Sequence, residues 1–436
     1  GGAAQPPEPS RDQPTPTGAS LAPETSEGEP DDTELEPDQT LKETTTHPTD
    51  LSASDYQKIV DALGADSSQP VSAAPASTNR VQVGQSTQQS VQTPSSMNPA
   101  IALIVDVALA YFDTDEPLQL GAHDPNSTGF TLQQLEFHAE SKIDPYFDMQ
   151  ANLVFSEFGV EIEELYAQTL ALPYSLQLPV GQFLLPFGRI NPTHPHTWSF
   201  VDQTLVIGTF FGGEGGRGLG IETSWLVPLP WYTKAVVSFN ENTGQCCALS
   251  YTTGGVPTID GPEDFLYTSR LEQFFELSTD WSLLLGFSYI LGENQTGNGN
   301  QSHLRGTDLF IKYKPVNSGN RFYTSLQVEW VARDRQVPGD NFQSHAGYAE
   351  LKTGLNPNWE LATRAEWVSK LGEGPLDDSL EGERKRFSGQ VTYYPSHFSR
   401  IRLQISNDQP SWREQNIWST MLALEVLAGA HGAHVY

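Results

Sequence analysis

The 436-residue sequence has few basic residues and no long apolar run. Because no stretch of about 18 apolar residues occurs, a membrane-spanning helix is excluded. The 24 basic residues face 54 acidic ones, for a formal charge of −30. This balance disfavours nucleic acid as a partner, since phosphate binding needs clustered Lys and Arg. No basic and apolar segment opens the chain, so we expect a cytosolic protein or an exported one whose signal has been removed.

Cysteine is also scarce, with only the adjacent pair Cys246 and Cys247. This usage fits an exported protein without a disulfide scaffold. Adjacent thiols can be oxidised to one another or can bind a soft metal. The simpler interpretation is two free thiols in a surface loop.

Residues 1–97 differ in composition from the rest of the chain. They are rich in Pro, Ser, Thr and Gln and hold 15 acidic and 4 basic residues. Such a composition cannot bury enough apolar surface to offset the entropy of ordering, so we predict a disordered periplasmic leader. Residues 52–63 are an exception, since Tyr56, Ile59 and Leu63 share one face of a predicted short helix.

From residue 98 onward, apolar and polar residues alternate in segments of about a dozen residues. Leu326, Val328 and Trp330, for example, alternate with Gln327 and Glu329. A period of two is typical of strands and not of helices. We predict strands near 100–112, 130–142, 146–157, 160–171, 176–187, 217–227, 231–241, 265–277, 281–292, 304–314, 321–334, 343–355, 359–370, 384–394, 399–407 and 416–427.

The connections between these strands are short on one side and mostly longer on the other. Aromatic residues stand beside the short turns, namely Tyr146, Trp231, Trp281, Phe322 and Trp359. A soluble sandwich would alternate too, but it would not place aromatics so regularly at one set of turns. The sequence therefore predicts an all-β fold, an antiparallel transmembrane β-barrel of 16 strands over residues 98–436.

In such a barrel the polar residues that alternate with the apolar ones would face a water-filled interior. The early strands supply the acidic residues Glu136, Glu140, Asp148, Glu161 and Glu163, and the later strands supply the basic residues Lys312, Lys314, Lys352, Arg364, Arg386, Arg400 and Arg402. Opposite walls of opposite sign would set a transverse field across a pore. Alternatively, acids and bases on neighbouring strands simply pair.

The connection over residues 188–216 is the longest in the barrel region and would be the third outer loop. In general porins this loop commonly folds inward and narrows the pore. It brings six candidate constriction residues, Arg189, His194, His196, Asp202, Glu214 and Arg217.

Several runs resemble a known family of outer-membrane barrels. They include LQQLEFHAESKIDPYF (132–147), VGQFLLPFGRINPTHPHTWSFVD (180–202), GGEGGRGLGIETSWLVPLP (212–230) and the ending GAHGAHVY. Members of this family are named zinc-regulated TonB-dependent outer-membrane receptors. The stretch around Gly181 to Gly188 is more distantly similar to phosphate-selective porins. TonB-dependent receptors close 22 strands around a plug domain, whereas this chain has room for about 16 strands and no plug-like core.

The paired histidines raise the question of zinc. His194 and His196 offer two imidazoles, as do His431 and His434, and imidazole suits Zn²⁺. Neither pair alone completes a four-ligand zinc site. The alternative to zinc binding is that the first pair simply packs in a loop and the second lies in a polar tail. Otherwise no cofactor is expected.

These observations favour a passive channel for small polar solutes or ions in the bacterial outer membrane. The expected partners are lipid, lipopolysaccharide and two further copies in a homotrimer, the last by analogy with other 16-strand porins. The alternatives are a zinc-uptake receptor and a structural barrel tethered by its leader to a periplasmic partner. We do not expect an enzyme, because no Ser or Asp stands with a His on adjacent strands of the outer wall.

Overall fold

The computed structural model describes residues 99–156, 159–244, 246–252, 259–318, 322–371 and 382–429. The predicted leader, its helix at 52–63 and the histidines His431 and His434 lie outside these residues. Within the described part of the chain, no helix is long and apolar enough to cross a membrane.

Seventeen strand segments form one antiparallel sheet. Their bounds are β1 Ala100–Phe112, β2 Gly129–Lys142, β3 Phe147–Ser156, β4 Gly159–Thr169, β5 Leu176–Gln177, β6 Pro179–Leu184, β7 Arg217–Leu226, β8 Thr233–Asn240, β9 Leu266–Glu276, β10 Trp281–Glu293, β11 Gln301–Tyr313, β12 Tyr323–Val337, β13 Asp340–Asn356, β14 Trp359–Val368, β15 Arg384–Ser396, β16 Ser399–Pro410 and β17 Ile417–Gly429. β5 and β6 both pair with β7 and are two parts of one strand, interrupted at Leu178.

The sheet closes on itself between its first and last strands. β1 pairs with β17 from Ala102 opposite Gly429 to Phe112 opposite Ser419, and with β2 along its other edge. The result is a closed barrel of 16 antiparallel strands, as the alternation predicted. The predicted strand bounds agree with the observed ones to within a few residues.

The two faces of the wall differ sharply in chemistry. On β1, Ile101 and Leu103 are each 42% exposed on the outer face, whereas Asp106 on the inner face is 3% exposed. The same contrast recurs on β16, where the outward Leu403 alternates with the buried Arg402 and Gln404. Because closure leaves no strand edge, every strand can stand in hydrocarbon with its backbone groups paired.

The predicted aromatic girdle lies beside the short turns. Trp281 stacks near Tyr313 and Trp359 near Tyr393, with 4.7 Å between ring centroids in each pair. On the opposite side most connections are longer, but two are short. One joins β3, which ends at Ser156, to β4, which begins at Gly159. The sequence did not reveal the other. β12 and β13 extend to a tight turn at Pro338 and Gly339, where we predicted a loop over 335–342. Gly339 has a φ of +84°, which makes this turn accessible.

Two β-bulges change which side chains face inward. The register slips between β1 and β2 at Gln133, and between β3 and β4 at Glu163. At each slip two consecutive residues are buried: Gln133 with Gln134, and Glu163 with Glu164. A bulge inserts one residue into the ladder, so the alternation breaks for one step.

Cys246 and Cys247 are joined by a disulfide, so the interpretation as two free thiols was wrong. Cys247 is fully buried. The carbonyl of Cys246 accepts a 3.1 Å hydrogen bond from the backbone N–H of Glu214. The pair therefore contacts the long connection that follows β6.

Outward positions should tolerate apolar residues and reject charge. We expect Leu403→Arg, at mid-strand on the outer face of β16, to lower the free energy of unfolding in lipid vesicles by about 2–4 kcal/mol. The cause is transfer of a guanidinium into hydrocarbon. Leu403→Val is the matched control and should cost less. Equal stability of the two variants by denaturant titration would contradict a lipid-facing position.

Candidate functional site

The connection between β6 and β7, residues 185–216, is almost wholly buried. It contains a 3₁₀ turn at Pro195–Thr197 and one short helix, α1, at Leu205–Phe210. Its groups hydrogen-bond to inward-facing side chains of nine strand segments: β2, β3, β4, β10, β12, β13, β14, β15 and β16. We call this stretch the 185–216 segment.

At one end of the barrel the segment forms an apolar cluster with the wall. α1 is buried on every residue. Phe187 and Phe211 meet edge to face at 5.4 Å. Fifteen further buried residues complete this cluster: Leu185, Leu205, Val206, Ile207, Phe210, Ala248, Tyr251, Leu266, Ile290, Leu304, Val331, Ala346, Tyr348, Val368 and Leu371.

Asp202 anchors the segment to the basic side of the wall. Its carboxylate lies 2.6 Å from Arg364 Nη2 and 3.0 Å from Arg386 Nη1, and it accepts a 2.8 Å hydrogen bond from Gln404. Burial alone would raise the pKa of Asp202, but the charges of Arg386 and Arg364 outweigh it and lower that pKa. The carboxylate is therefore held ionised between two guanidinium groups.

Arg400 and Arg402 hold the backbone of the same segment. Arg400 donates to the carbonyl of His196 at 2.6 Å, and Arg402 donates to the carbonyl of Phe200 at 3.2 Å. Each guanidinium also pairs with an acid of the wall: Arg400 with Glu425 at 2.6 Å, and Arg402 with Asp106. We call Arg364, Arg386, Arg400 and Arg402, on β14 to β16, the basic wall.

Glu136 on β2 and Glu163 and Glu164 on β4 form what we call the acidic wall, which β17 and β1 separate from the basic wall. His194 Nδ1 lies 2.8 Å from Glu163 Oε2, and His194 Nε2 lies 2.9 Å from Glu164 Oε2. His196 Nδ1 lies 2.7 Å from Glu136 Oε2. The predicted histidine pair thus meets the predicted acidic residues directly.

The two imidazoles are parallel and fully enclosed. Their centroids are 5.6 Å apart with 7° between planes, and His194 and His196 are 3% and 1% exposed. Burial would lower the pKa of His194. The charge of Glu163 and the hydrogen bonds of Glu163 and Glu164 outweigh burial and raise that pKa well above its usual value.

Glu329 on β12 fixes the start of the segment. Its carboxylate accepts hydrogen bonds from the backbone N–H groups of Arg189 at 3.1 Å and Ile190 at 2.8 Å. Gly188 precedes them with a φ of +63°, and an added Cβ would lie 2.5 Å from Glu329. Glycine is therefore required where the chain turns toward the carboxylate. Arg189 also stacks over Phe310, 3.9 Å from the ring centroid.

A second histidine cluster joins the loop after β1 to the end of the segment. His123 Nε2 lies 3.1 Å from Glu214 Oε2, and Arg217 Nη2 lies 2.9 Å from Glu161 Oε2. Burial would lower the pKa of His123, but its hydrogen bond to Glu214 and the carboxylate charge raise it to about 9. Burial would raise the pKa of Glu214, but His123 and Arg217 lower it.

Three predicted site residues stand apart from these clusters. Glu140 and Asp148 are partly exposed on β2 and β3 near the short-turn end. Lys352 on β13 lines a small cavity beside the segment, together with Arg189 and Ser199. These three therefore do not join the histidine or Asp202 contacts.

Of the two interpretations of the charged walls, the geometry favours ion pairing for most of the charges. The pairs run between wall residues, as in Arg386–Glu366 and Arg400–Glu425, and also between the wall and the 185–216 segment. The acidic wall meets His194 and His196, and Arg364 and Arg386 meet Asp202. The segment therefore bridges the acidic wall and the basic wall.

Sequence reasoning missed Glu164, His123 and Asn152. Strict alternation puts Glu164 outside, and only the bulge at Glu163 turns it inward. His123 lies in a loop whose partners the sequence does not indicate. Asn152 sits at an inward alternate and donates to Glu164 at 3.0 Å, so the strand pattern could have found it.

Two groups among the described residues have donor atoms close enough to hold a metal ion. One is His123, Glu161 and Glu214, and the other is Glu136, Glu163 and His194; in each, one donor atom per residue lies within 4.8 Å of the others. In the first group, Glu161 and Glu214 already pair with the guanidinium of Arg217, which balances their negative charge. The second includes one member of the predicted zinc pair, His194.

Comparison with known proteins supports the fold. The chain is 29% identical over 339 residues to an uncharacterised protein of Aquifex aeolicus, covering 71% of this chain and 70% of that protein. The structure of the present chain is similar to that of the outer-membrane channel DcaP of Acinetobacter baumannii. The TM-score is 0.53 at 12% identity, over 76% of this chain and 97% of DcaP. The anion-selective porin of Comamonas acidovorans matches with a TM-score of 0.49 at 9% identity, over 76% and 99%. No family model matches the chain.

The fold is therefore that of outer-membrane channel barrels. The porin part of the resemblance noted in the sequence fits this fold. The receptor part of the resemblance finds no support in these comparisons.

The His123–Glu214 pair gives a pH dependence of stability. Because the pKa of His123 rises from 6.5 to about 9 on folding, its contribution is complete below about pH 6.5 and is lost as pH rises through about 9. We expect His123→Gln to lower the melting temperature most near pH 6 and progressively less toward pH 10. Exposed His397 provides the control His397→Gln. A melting-temperature difference for His123→Gln that stays constant over this range would contradict the ion pair.

Proposed function

We propose that the chain is an outer-membrane channel for passive diffusion of small polar solutes or ions. The observation that carries this proposal is the two-faced wall, apolar outside and densely charged inside around the closed barrel. An inner face of this kind suits water and ions, because buried charge without solvent or partners is costly. In this arrangement residues 1–97 extend into the periplasm, since both barrel ends at Ala100 and Gly429 lie on the short-turn side.

The 185–216 segment is the proposed constriction. It reaches inward-facing groups on nine strand segments, so solutes crossing the barrel would pass between it and the wall. Its polar groups His194, His196 and Asp202 are held by the acidic wall and by the basic wall. A constriction fixed in this way keeps a constant width, because moving it would break several buried ion pairs at once.

Charge supports a preference for cations. Residues 98–436 hold 39 acidic and 20 basic residues, so the barrel carries a strong negative charge. The arginines of the basic wall are paired with Asp202, Glu425 and Asp106 and contribute little net positive potential. Negative wall charge raises the local concentration of cations and lowers that of anions.

A second candidate is a barrel that takes up a metal ion. The observation in its favour is the buried contact between His194 and the carboxylates of the acidic wall. A receptor would hold its lumen closed until ligand binds, whereas a channel conducts without ligand. The two candidates therefore differ in conductance in metal-free buffer.

A homotrimer and a periplasmic partner for the leader extend the proposal. Sedimentation of the purified protein in detergent tests the homotrimer, and a monomer would contradict it.

Deletion of residues 1–97 tests the periplasmic partner. An unchanged set of co-purifying proteins would count against a tether.

Planar-bilayer recording tests the channel directly. We expect stable conductance steps in metal-free buffer and a cation-biased reversal potential across a salt gradient. The bias should weaken at high salt, because screening shortens the range of wall charge. Silence at all voltages from correctly folded protein would contradict the channel and favour the receptor.

Asp202 provides the sharpest test of the constriction. Asp202→Asn removes one of the two carboxylates that Arg364 and Arg386 share and leaves them with Glu366. The ion pairs that tie the segment to the wall at this point are then lost, while the wall keeps its own pairs. We expect the segment to loosen and single-channel conductance to rise and become noisier. Glu140→Gln removes a charge of the same sign away from the segment and should leave the conductance noise unchanged. Identical traces for Asp202→Asn and wild type would rule out this segment as the constriction.

A further inference from the structure

We infer that Glu136, Glu163 and His194 form a binding site for a divalent cation of the zinc class. The three residues come from β2, β4 and the 185–216 segment, and one donor atom of each lies within 4.8 Å of the others. All three are buried, with exposed fractions of 0%, 7% and 3%. The inference deepens the metal-uptake candidate, and it does not depend on whether the barrel conducts.

The donor types select the metal. One imidazole nitrogen and two carboxylate oxygens suit Zn²⁺, whereas Ca²⁺ and Mg²⁺ prefer six or more oxygen ligands. Zn²⁺ sits about 2.0–2.2 Å from such atoms, so tetrahedral ligands lie roughly 3.4 Å apart. His194 Nδ1 and Glu163 Oε2 are 2.8 Å apart, and a small side-chain shift makes room for the ion. Three protein ligands leave the fourth position for water or for a nearby donor.

A second observation is the arrangement around His194. Its Nδ1 faces Glu163, and its other ring nitrogen, Nε2, lies 2.9 Å from Glu164 Oε2 and 2.8 Å from the amide nitrogen of Asn152. Metal-ligating histidines nearly always donate their second ring N–H to a carboxylate, which fixes the tautomer and the ring orientation. Glu164 is fixed in turn by Asn152, which donates to it at 3.0 Å. The outer shell of a metal site is thus already built, on a residue turned inward only by the β-bulge.

Charge separates this group from the other histidine cluster. Glu161 and Glu214 meet the guanidinium of Arg217, a permanent cation. The ion pairs that the described residues give Glu163 and Glu164 are with His194. A bound Zn²⁺ would balance the carboxylates of the acidic wall and displace the proton shared between His194 and Glu163 into solvent.

A small cavity adjoins the site. It is lined by Glu163, His123, Gln133, Glu214 and Trp198. His196 lies on the other side of the site, with Nδ1 2.7 Å from Glu136 and its ring stacked on His194. Glu163 therefore faces both the cavity and His194, and a second imidazole lies beside the site.

The test is zinc binding by the full-length, untagged protein folded in detergent and freed of metal. Calorimetric titration with ZnCl₂ should give one tight site per chain in the wild type. Glu163→Gln and His194→Gln should abolish that site. Glu164→Gln, which removes only the orienting carboxylate, should keep one site with affinity reduced about 10–100-fold. Glu161→Gln, in the Arg217 cluster, is the matched control and should bind like wild type.

A second test uses only the wild-type protein, so it does not depend on whether the variants fold. X-ray absorption of the zinc-loaded wild type should show only nitrogen and oxygen ligands, with one imidazole. Absence of a tight site in the wild type would overturn the inference, as would a sulfur ligand or equal loss of binding in Glu163→Gln and Glu161→Gln. None of these results bears on conductance recorded in metal-free buffer, so failure of the site and failure of the channel are distinguishable.

Discussion

Closure of the sheet between β1 and β17 is the constraint on which the rest of the structure depends. A closed ladder pairs the backbone of every strand, and only then can the outer face be apolar throughout. With the outer face given largely to Leu, Val and aromatic residues, most strand charges face inward, although Arg305 on β11 and Lys385 on β15 face outward. Even the seam shows this effect: Asp106 stands directly opposite Glu425, and Arg400 and Arg402 neutralise the two carboxylates.

The charged interior in turn determines how the 185–216 segment is held. An arginine or glutamate facing inward needs solvent or a partner of opposite charge, and the segment supplies partners of both signs. Asp202 meets Arg364 and Arg386, while His194 and His196 meet the acidic wall. One stretch of chain therefore supplies partners to both the acidic wall and the basic wall, and the proposed constriction and metal site are two consequences of the same contacts.

The sequence predicted the barrel well because a period of two is imposed on every strand by the same physical requirement. Strand number, the short-turn side and the girdle at Trp281 and Trp359 all follow from that requirement. Local departures escaped prediction: the bulge that turns Glu164 inward and the tight turn at Gly339 depend on register between strands. The histidines and acids were each identified in the sequence. Their pairing was not, because it joins residues about 30 to 60 positions apart across the closed wall.

The position of the 185–216 segment along the chain has a consequence for how the protein assembles. Its partners lie both before it, at Glu136 and Glu163, and far after it, with Gln404 following Val201 by 203 positions. Contacts of such separation form slowly, since the intervening loop must lose entropy before any contact rewards it. The segment can reach its final position only once the last strands have arrived. Docking of the 185–216 segment and closure of the barrel between β1 and β17 are therefore one cooperative step at the end of folding.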